Sequence, residues 1–308
     1  MSIESGSSSQ TQLPGLPAGA ADPCVHCGFC LPTCASYRVL ASEMDSPRGR
    51  IHALRAIEAG ELELDATVAS HFDTCLGCYA CVSACPSGVR YDQLIEATRP
   101  KLNQANQRSS WQTSFRKLLL QVLPYPKRLR ALLQPLRAYA GTPLQQLARR
   151  SGLTRLFGPE IEAMEQLLPP LVPESFTDRL PQINPASGDR RGRVALLLGC
   201  VQRCFDPSVS TATVKVLQAN GFEVVIPPDQ GCCGAVSHHQ GELALTRQLA
   251  SDLVCSMNGV DGDLDAILVA ASGCGHTMKA YDELLKGDVQ FRAPVMDIQE
   301  FLADRGLS

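Results

Sequence analysis

The sequence predicts an α+β protein of several domains: a mostly helical cysteine-rich domain, a helical linker, and an α/β domain with a short parallel sheet. Eight of the 14 cysteines fall in two tight groups near the N-terminus. In the last third of the chain, apolar runs of strand length alternate with helical patterns, which is typical of a parallel sheet with crossover helices. The 308 residues are enough for two domains and a linker.

Composition places the boundaries between these parts. We predict a disordered tail at 1–20, a cysteine-rich domain at 21–100, a basic helical linker at 101–188 and an α/β domain at 189–308. The tail is rich in Ser, Gly, Gln and Pro, and such segments cannot bury enough apolar surface to fold.

Helix signals are clear in two places. Between the two cysteine groups, Ser46 is expected to cap a helix that begins at Pro47 and stops near Gly60. In the last domain we predict strands at 194–198, 222–226, 264–271 and 294–298, and helices at 207–220, 241–257 and 277–285. Their alternation implies right-handed crossovers between parallel strands.

The charges are distributed unevenly along the chain. Residues 101–150 carry ten basic and no acidic side chains, whereas the flanking regions are acidic overall. Such a block suits an anionic membrane surface, an acidic partner subunit or a solvated helical linker. Aromatic residues make up only 5% of the chain, and no nucleic-acid reader motif is present, so we expect no nucleic-acid partner.

Cysteine usage and the N-terminal sequence indicate a reducing compartment. The first residues have neither a basic region nor an apolar core of the kind found in secretory signals. We therefore expect a cytoplasmic protein, with a peripheral position at the inner face of the cell membrane as the alternative. Because disulfides are rare in reducing cytosol, we interpret the cysteines as metal ligands.

Each N-terminal group has the spacing C-x2-C-x2-C-x3-C. The groups are Cys24, Cys27, Cys30 and Cys34, then Cys75, Cys78, Cys81 and Cys85. Ferredoxins that hold two [4Fe–4S] clusters have this spacing, and the fourth cysteine of each run ligates the other cluster. We therefore predict one cluster on Cys24, Cys27, Cys30 and Cys85, and a second on Cys75, Cys78, Cys81 and Cys34. A pair of zinc sites is the alternative, but zinc ribbons use paired C-x2-C units.

Further cysteines follow three of the predicted strands. They are Cys200, Cys232, Cys233 and Cys274. Ligands of open parallel sheets bind at the carboxyl ends of the strands, so we expect these thiols to converge on a third site. The alternative is that they are buried core cysteines. His238, His239 and His276 are expected near the same site as ordinary polar residues of loops and helix starts, with hydrogen-bond donors or proton carriers as the alternative. Cys255 is expected in the core.

Five segments carry a resemblance to a known family: CVHCGFC at 24–30, DSPRGRI at 45–51, LGCVQR at 198–203, GCCGAVSHH at 231–239 and ASGCG at 271–275. They resemble the iron–sulfur subunit of glycolate oxidase. The resemblance implies a complex in which flavin subunits oxidise a 2-hydroxy acid, glycolate to glyoxylate. The iron–sulfur subunit then passes the electrons toward an acceptor in the respiratory chain. The chain would thus belong to an oxidoreductase without carrying a catalytic residue itself.

The same resemblance bears on the third site. The Cys-Cys-Gly domain is shared with heterodisulfide reductase subunits, in which two copies hold a non-cubane [4Fe–4S] cluster. This chain has one copy, and Thr277 stands where that pattern has a cysteine. A third cluster is therefore an option beside the two cubanes. The alternative functions are a thiol–disulfide oxidoreductase of the heterodisulfide reductase type, an iron–sulfur subunit of a lactate-oxidising complex, and a zinc module for assembly.

Overall fold

The computed structural model describes residues 19–105 and 108–307, and they divide into two compact units. The first unit comprises 19–105, 108–114 and 236–243, and the second comprises 115–235 and 244–307. Most of the predicted disordered tail, at 1–18, lies outside the described residues. The predicted domain boundaries at residues 100 and 188 stay predictions.

The first unit is built from short helices around the two cysteine loops. They are α1 (Ala35–Leu40), α2 (Pro47–Glu58), α3 (Ala66–Asp73), α4 (Ala80–Ser83) and α5 (Tyr91–Ala105), with a 3-10 turn at Glu43–Asp45. Their apolar faces form one core, which includes Ile51, Leu54, Ile57, Phe72, Leu94 and Ile95. The cysteine loops lie against this core, so helix packing fixes where the thiols stand.

Helix α2 forms as the sequence predicts. The Ser46 hydroxyl accepts a hydrogen bond from the Gly49 amide at 3.0 Å, and Pro47 occupies the first turn. Gly60 follows the helix with a positive φ of 74°. A Cβ atom at Gly49 would lie 2.0 Å from the Glu43 carbonyl oxygen, so only glycine lets the preceding turn pack this closely.

The linker is helical and kinked at prolines. It contains α6 (Ser110–Val122), α7 (Pro126–Leu133), α8 (Pro143–Ser151) and α9 (Pro159–Gln166), with 3-10 turns at Pro135–Ala138, Leu153–Phe157 and Pro173–Phe176. A small core joins Leu129, Leu133, Ala140, Leu171 and Cys204. Three cations of the basic block pair with acidic residues outside it: Arg108 with Asp73, Arg130 with Asp178 and Arg149 with Glu165. Part of the block's charge is thus compensated within the chain.

The second unit contains a five-stranded sheet in the order β1-β3-β2-β4-β5. The strands are β1 (Ile183–Asn184), β2 (Gly192–Leu197), β3 (Phe222–Val225), β4 (Ala266–Val269) and β5 (Val295–Asp297). Strands β2 to β5 pair in parallel, as predicted, with Val194 opposite both Val224 and Ala266. Strand β1 pairs antiparallel with β3, so the sheet is mixed and the purely parallel prediction is wrong. A two-residue edge strand carries too little apolar pattern to be recognised in a sequence.

Helices cover both faces of this sheet. The helices after β2 are α10 (Gln202–Phe205), α11 (Pro207–Ala219), α12 (Ala235–His239), α13 (Leu243–Asn258), α14 (Ser272–Lys279), α15 (Tyr281–Leu284) and α16 (Ile298–Arg305), and α12 belongs to the first unit from Val236 onward. The helix predicted at 277–285 begins five residues earlier and is divided at Ala280. One core contains Leu196, Leu217, Phe222 and Phe301, and the other contains Leu197, Leu253, Val254 and Met257.

The helices of 19–105 and 108–307 are all too short or too polar to cross a membrane.

We predict that Phe301→Ala destabilises the α/β unit. The Phe301 side chain is 0% exposed, and its ring meets Phe222 edge to face at 4.9 Å between centroids. Truncating a buried phenylalanine typically costs about 3–5 kcal/mol of unfolding free energy. Urea unfolding followed by circular dichroism measures the loss.

Phe157→Ala is the matched control, because Phe157 is 68% exposed. Its unfolding free energy should stay within about 0.5 kcal/mol of the parent protein. Equal unfolding midpoints for the two variants would contradict the described packing.

Candidate functional site

The two N-terminal cysteine loops share one backbone conformation. In the first loop, His26 and Gly28 have positive φ angles of 55° and 86°. In the second, Gly77 and Tyr79 occupy the equivalent positions with φ angles of 65° and 54°. Each loop therefore places one non-glycine residue in the left-handed region, at a cost that a functional constraint commonly explains.

A first cavity opens inside the first loop. It contains about 410 Å³ of empty space, partly open to solvent. Its cysteines are Cys24, Cys27, Cys30, Cys81 and Cys85. Cys85 comes from the opposite loop, just after helix α4, and joins the three cysteines of the first loop. Apolar side chains complete the wall, among them Val25, Phe29, Ile51 and Val89.

A second cavity, with about 330 Å³ of empty space that is partly open to solvent, lies inside the second loop. Its cysteines are Cys34, Cys75, Cys78 and Cys81. Cys34 comes from the first loop, where it precedes helix α1 and is 7% exposed. The members of each predicted quartet thus line one cavity together, and Cys81 lines both cavities, so the division into two ligand sets stays a prediction.

The two cavities share part of their walls. Pro47, Cys81 and Tyr91 line both. The Tyr91 side chain is buried, and its hydroxyl points to the Cys75 sulfur at 3.8 Å. Groups held in these cavities would be separated by little more than the width of these side chains, which suits transfer of electrons between them.

Arg48 stands at the first cavity. Its Nη1 donates to the His26 carbonyl oxygen at 2.8 Å, and its Nε and Nη2 donate to the Glu43 carboxylate at 2.6 Å and 3.1 Å. The hydrogen bonds from Arg48 lower the pKa of Glu43. Each of these three nitrogens has a protein acceptor.

Arg50 lines the second cavity and is completely buried. Its Nε donates to the His71 carbonyl oxygen at 2.6 Å, and its Nη2 donates to the hydroxyls of Ser36 at 3.1 Å and Thr74 at 2.8 Å. Its Nη1 has no hydrogen-bond partner among the described residues. Burial lowers the pKa of Arg50, but the nearby Tyr91, Cys75 and Cys34 outweigh burial and raise it.

Burial also acts on the thiols. It raises the pKa of Cys81 to about 12 and raises the pKa of Cys30. Thiols with raised pKa values are protonated at neutral pH, and a metal that binds them must displace those protons. A [4Fe–4S] cluster requires four thiolates. Eight cysteines line the two cavities together, Cys81 lining both, so the residues fit two such clusters.

The cysteines of the second unit also come together. Cys200 follows β2, Cys232 and Cys233 follow β3, and Cys274 lies in α14 just after β4. The sulfurs of Cys200 and Cys232 are 3.1 Å apart, and hydrogen-bond contacts join Cys232 to Cys233 and Cys233 to Cys274. Because β2 lies between β3 and β4, the sheet order itself brings these strand ends together.

Two side chains hold this four-cysteine site in place. Gln230 accepts a hydrogen bond from the Leu198 amide at 2.7 Å and donates to the Leu196 carbonyl, which ties the loop to the end of β2. The Tyr281 hydroxyl donates to the Cys233 carbonyl at 2.7 Å. The hydrogen bond with Cys232 and burial raise the pKa of Cys200 far above its usual value.

The remaining predicted residues have other surroundings. His238 lies 3.1 Å from the Glu96 carboxylate, and His239 shares a 3.0 Å hydrogen bond with the Tyr79 hydroxyl. Glu96 also accepts from Tyr79 at 2.6 Å. Nothing in the sequence pointed to this network, because its members are about 140 to 160 positions apart. Cys255 is exposed on α13, so the prediction that it lies in the core is wrong.

Three families match parts of the chain. A 4Fe-4S dicluster domain matches residues 20–89, the linker region of the glycolate oxidase iron-sulfur subunit matches 111–168, and a cysteine-rich domain matches 194–279. No solved structure matches the chain.

Curated relatives match most of the chain. A probable glycolate oxidase iron-sulfur subunit of Bacillus subtilis is 36% identical over 87% of this chain and 60% of its own length. The glycolate oxidase iron-sulfur subunit of Escherichia coli is 33% identical over 91% of this chain and 63% of its own length. Lactate utilization protein A of an Exiguobacterium species is 29% identical over 36% of this chain and 47% of its own length.

The chain therefore spans less than two thirds of the length of the two glycolate oxidase relatives. Within that span the three matching regions follow one another in chain order, and the two cysteine-bearing regions contain the quartets described above. The chain is a homologue of the glycolate oxidase iron–sulfur subunits over the span that it shares with them.

Proposed function

We propose that the chain carries electrons through two [4Fe–4S] clusters, as the iron–sulfur subunit of a complex that oxidises glycolate or a similar 2-hydroxy acid. The observation that supports the proposal is the pair of adjoining cavities, one lined by five cysteines and the other by four, with cysteines of both loops around each and Cys81 shared. The similarity to glycolate oxidase iron–sulfur subunits supports the substrate class.

The ligand sets follow from the lining of the cavities. Cys24, Cys27, Cys30 and Cys85 would hold one cluster, and Cys34, Cys75, Cys78 and Cys81 the other. A bound [4Fe–4S] cluster supplies a centre that accepts and releases one electron at a time. The buried core behind the loops limits access of water to both cavities, and the shared side chains of Pro47 and Tyr91 keep the transfer path short.

Oxidation of a hydroxy acid needs a partner subunit. The reaction releases a pair of electrons and a proton from carbon, whereas a thiolate-bound cluster takes electrons singly. A flavin accepts a hydride or an electron pair and can pass the electrons on individually. We therefore place the hydroxy-acid chemistry on flavin subunits and the transfer toward a respiratory-chain acceptor on this chain.

The linker supports a contact with another surface. Helix α8 exposes Leu144 and Leu147, and the following turn exposes Leu156 and Phe157. Basic residues of the 101–150 block lie on the same segment, which favours an anionic surface: either an acidic subunit or the inner face of the cell membrane. A cytoplasmic location is part of this proposal, supported by 14 unpaired cysteines.

The four-cysteine site favours a further iron site. Four thiols in mutual contact at the carboxyl ends of three strands form a suitable ligand set. Thiol–disulfide exchange is the alternative, and the 3.1 Å separation of Cys200 and Cys232 is short enough for the pair to be oxidised. Exchange requires an attacking thiolate, however, and the raised pKa of Cys200 disfavours that form.

We predict that cysteine variants fall into two spectral groups. Cys85→Ala and Cys27→Ala should both remove the signal of the first-cavity cluster, because both residues line that cavity. Cys34→Ala and Cys78→Ala should remove the other signal. Each variant should lose about four iron atoms per chain after anaerobic reconstitution. Iron analysis and electron paramagnetic resonance of the reduced protein measure both effects.

Cys255→Ala is the control for this series, since Cys255 is exposed and lines neither cavity. It should keep the full iron content and both signals. Loss of the same signal in Cys85→Ala and Cys78→Ala would refute the exchange of the fourth cysteine, and zinc in place of iron would refute the electron-transfer function.

We predict that glycolate reduces the clusters only through a flavin subunit. The complex purified without oxygen should develop the paramagnetic signal of reduced clusters when glycolate is added. The isolated chain should not, because it offers no acceptor for an electron pair. A signal in the isolated chain would contradict the proposal that a flavin subunit oxidises the hydroxy acid. Reduction by lactate but not by glycolate would assign the chain to a lactate-oxidising complex.

We predict that Cys233→Ala lowers the iron content while both cubane signals remain. Cys233 is 3% exposed and contacts both Cys232 and Cys274, so its loss interrupts the four-cysteine site at its centre. Iron analysis of the reconstituted variant, again with Cys255→Ala as the control, measures the effect. An unchanged iron content would show that the site holds no iron in this chain.

A further inference from the structure

The unpartnered nitrogen of Arg50 is the starting point. The guanidinium is 0% exposed, and its Nη1 makes no hydrogen bond of normal geometry among residues 19–105 and 108–307, although the Tyr91 side chain lies close to the guanidinium. A buried donor without an acceptor has lost its hydrogen bonds to water without replacing them, and this loss is greater for a charged group. Arg50 lines the cavity of Cys34, Cys75, Cys78 and Cys81. A group bound in that cavity would supply the missing acceptor.

The other two nitrogens of Arg50 are fixed by the protein. Nε donates to the His71 carbonyl, and Nη2 donates to the hydroxyls of Ser36 and Thr74. Two of these acceptors belong to the segment 71–74 and the third is Ser36, so the bonds restrict rotation of the guanidinium. The orientation is therefore set before any ligand is present, which is how a preorganised donor is recognised.

The charge of Arg50 is only partly balanced. The nearest carboxylate is that of Asp45, with Oδ1 3.8 Å from Nη2. That oxygen already accepts from Thr74 at 2.6 Å and contacts His71 Nδ1 at 3.1 Å. Charges interact strongly in a buried, low-dielectric region, so a guanidinium there favours electron density at a neighbouring group.

The first cavity has no equivalent feature in the described structure. Arg48, two residues earlier on the same helix, has all three of its nitrogens bonded to Glu43 and His26. It is also 28% exposed and forms a 2.6 Å ion pair with Glu43, so solvent and carboxylate screen its charge. Helix α2 thus places a buried arginine at the second cavity and a partly exposed, paired arginine at the first.

We propose that Arg50 serves the second cavity as a buried donor and cation, and makes the cluster held there easier to reduce than the one in the first cavity. The proposal rests on the two-cluster function given above. Hydrogen bonds to the sulfurs and local charge are among the factors that set the reduction potentials of iron–sulfur clusters. An electron shared between the two centres would then be held mainly at the second one.

The test is a redox titration of the reconstituted full chain, followed by electron paramagnetic resonance. In Arg50→Gln, the ratio of reduced to oxidised second cluster at a fixed potential should fall at least tenfold. This corresponds to a decrease of about 59 mV in the reduction potential of a one-electron couple. The first cluster should titrate as in the parent protein. Arg50→Lys keeps the charge but loses the fork, so its shift should be smaller and in the same direction. Loss of one signal in Cys78→Ala identifies which signal is the second cluster's.

Two control variants separate tuning from packing. Arg48→Gln removes the matched arginine and should change the second cluster's ratio less than threefold. Thr74→Val removes an acceptor of Arg50 Nη2 but leaves Nη1 in place, and should also change it less than threefold. A shift in Thr74→Val equal to that in Arg50→Gln would show that Arg50 acts only on the structure, and would overturn the proposal.

The experiment distinguishes refutation of the role of Arg50 from refutation of the proposed two-cluster function. If the parent protein binds about eight iron atoms and Arg50→Gln and Arg50→Lys leave the second cluster's ratio unchanged, the role of Arg50 is refuted while the two clusters stand. If the parent protein binds no iron, the proposed function itself is refuted. Should Arg50→Gln fail to fold, the direction of the shift in Arg50→Lys decides the question.

Discussion

The first unit depends on the reach of a short loop. Three cysteines spaced two residues apart can surround one side of a cavity, but the same loop cannot place a fourth thiol on the far side. The fourth therefore comes from the opposite run, with Cys34 facing the second cavity and Cys85 the first. This exchange requires the two loops to lie side by side, and the surrounding helices are short because they only need to hold that arrangement.

The segment between the cysteine runs does more than connect them. Ser46 caps helix α2. The preceding turn, at Glu43, packs directly against Gly49, where a side-chain methyl group would collide with the Glu43 carbonyl oxygen. The same segment provides Arg48 at one cavity and Arg50 at the other. Residues two positions apart point to different sides of a helix. For this reason Arg48 is partly exposed and paired with Glu43, whereas Arg50 is buried.

In the second unit, the order of the strands brings the cysteines together. The central position of β2 between β3 and β4 brings the ends of three strands together, although their cysteines are spread over 75 positions. Gln230 and Tyr281 then fix the loop that carries Cys232 and Cys233. The same rule of parallel sheets explains why the site was foreseeable, since crossovers always return to the same edge.

The sequence by itself determined the cysteine quartets, helix α2 with its cap, and the four parallel strands, because each depends on local spacing or periodicity. It could not determine the antiparallel strand β1, which is two residues long, or the exposure of Cys255, which depends on the face of α13 that packs inward. Only the tertiary structure decided that His238 meets Glu96 and that Arg50 keeps an unpaired nitrogen at the second cavity. Both result from side chains that are distant in sequence and adjacent in space, and no periodicity in a single chain records such contacts.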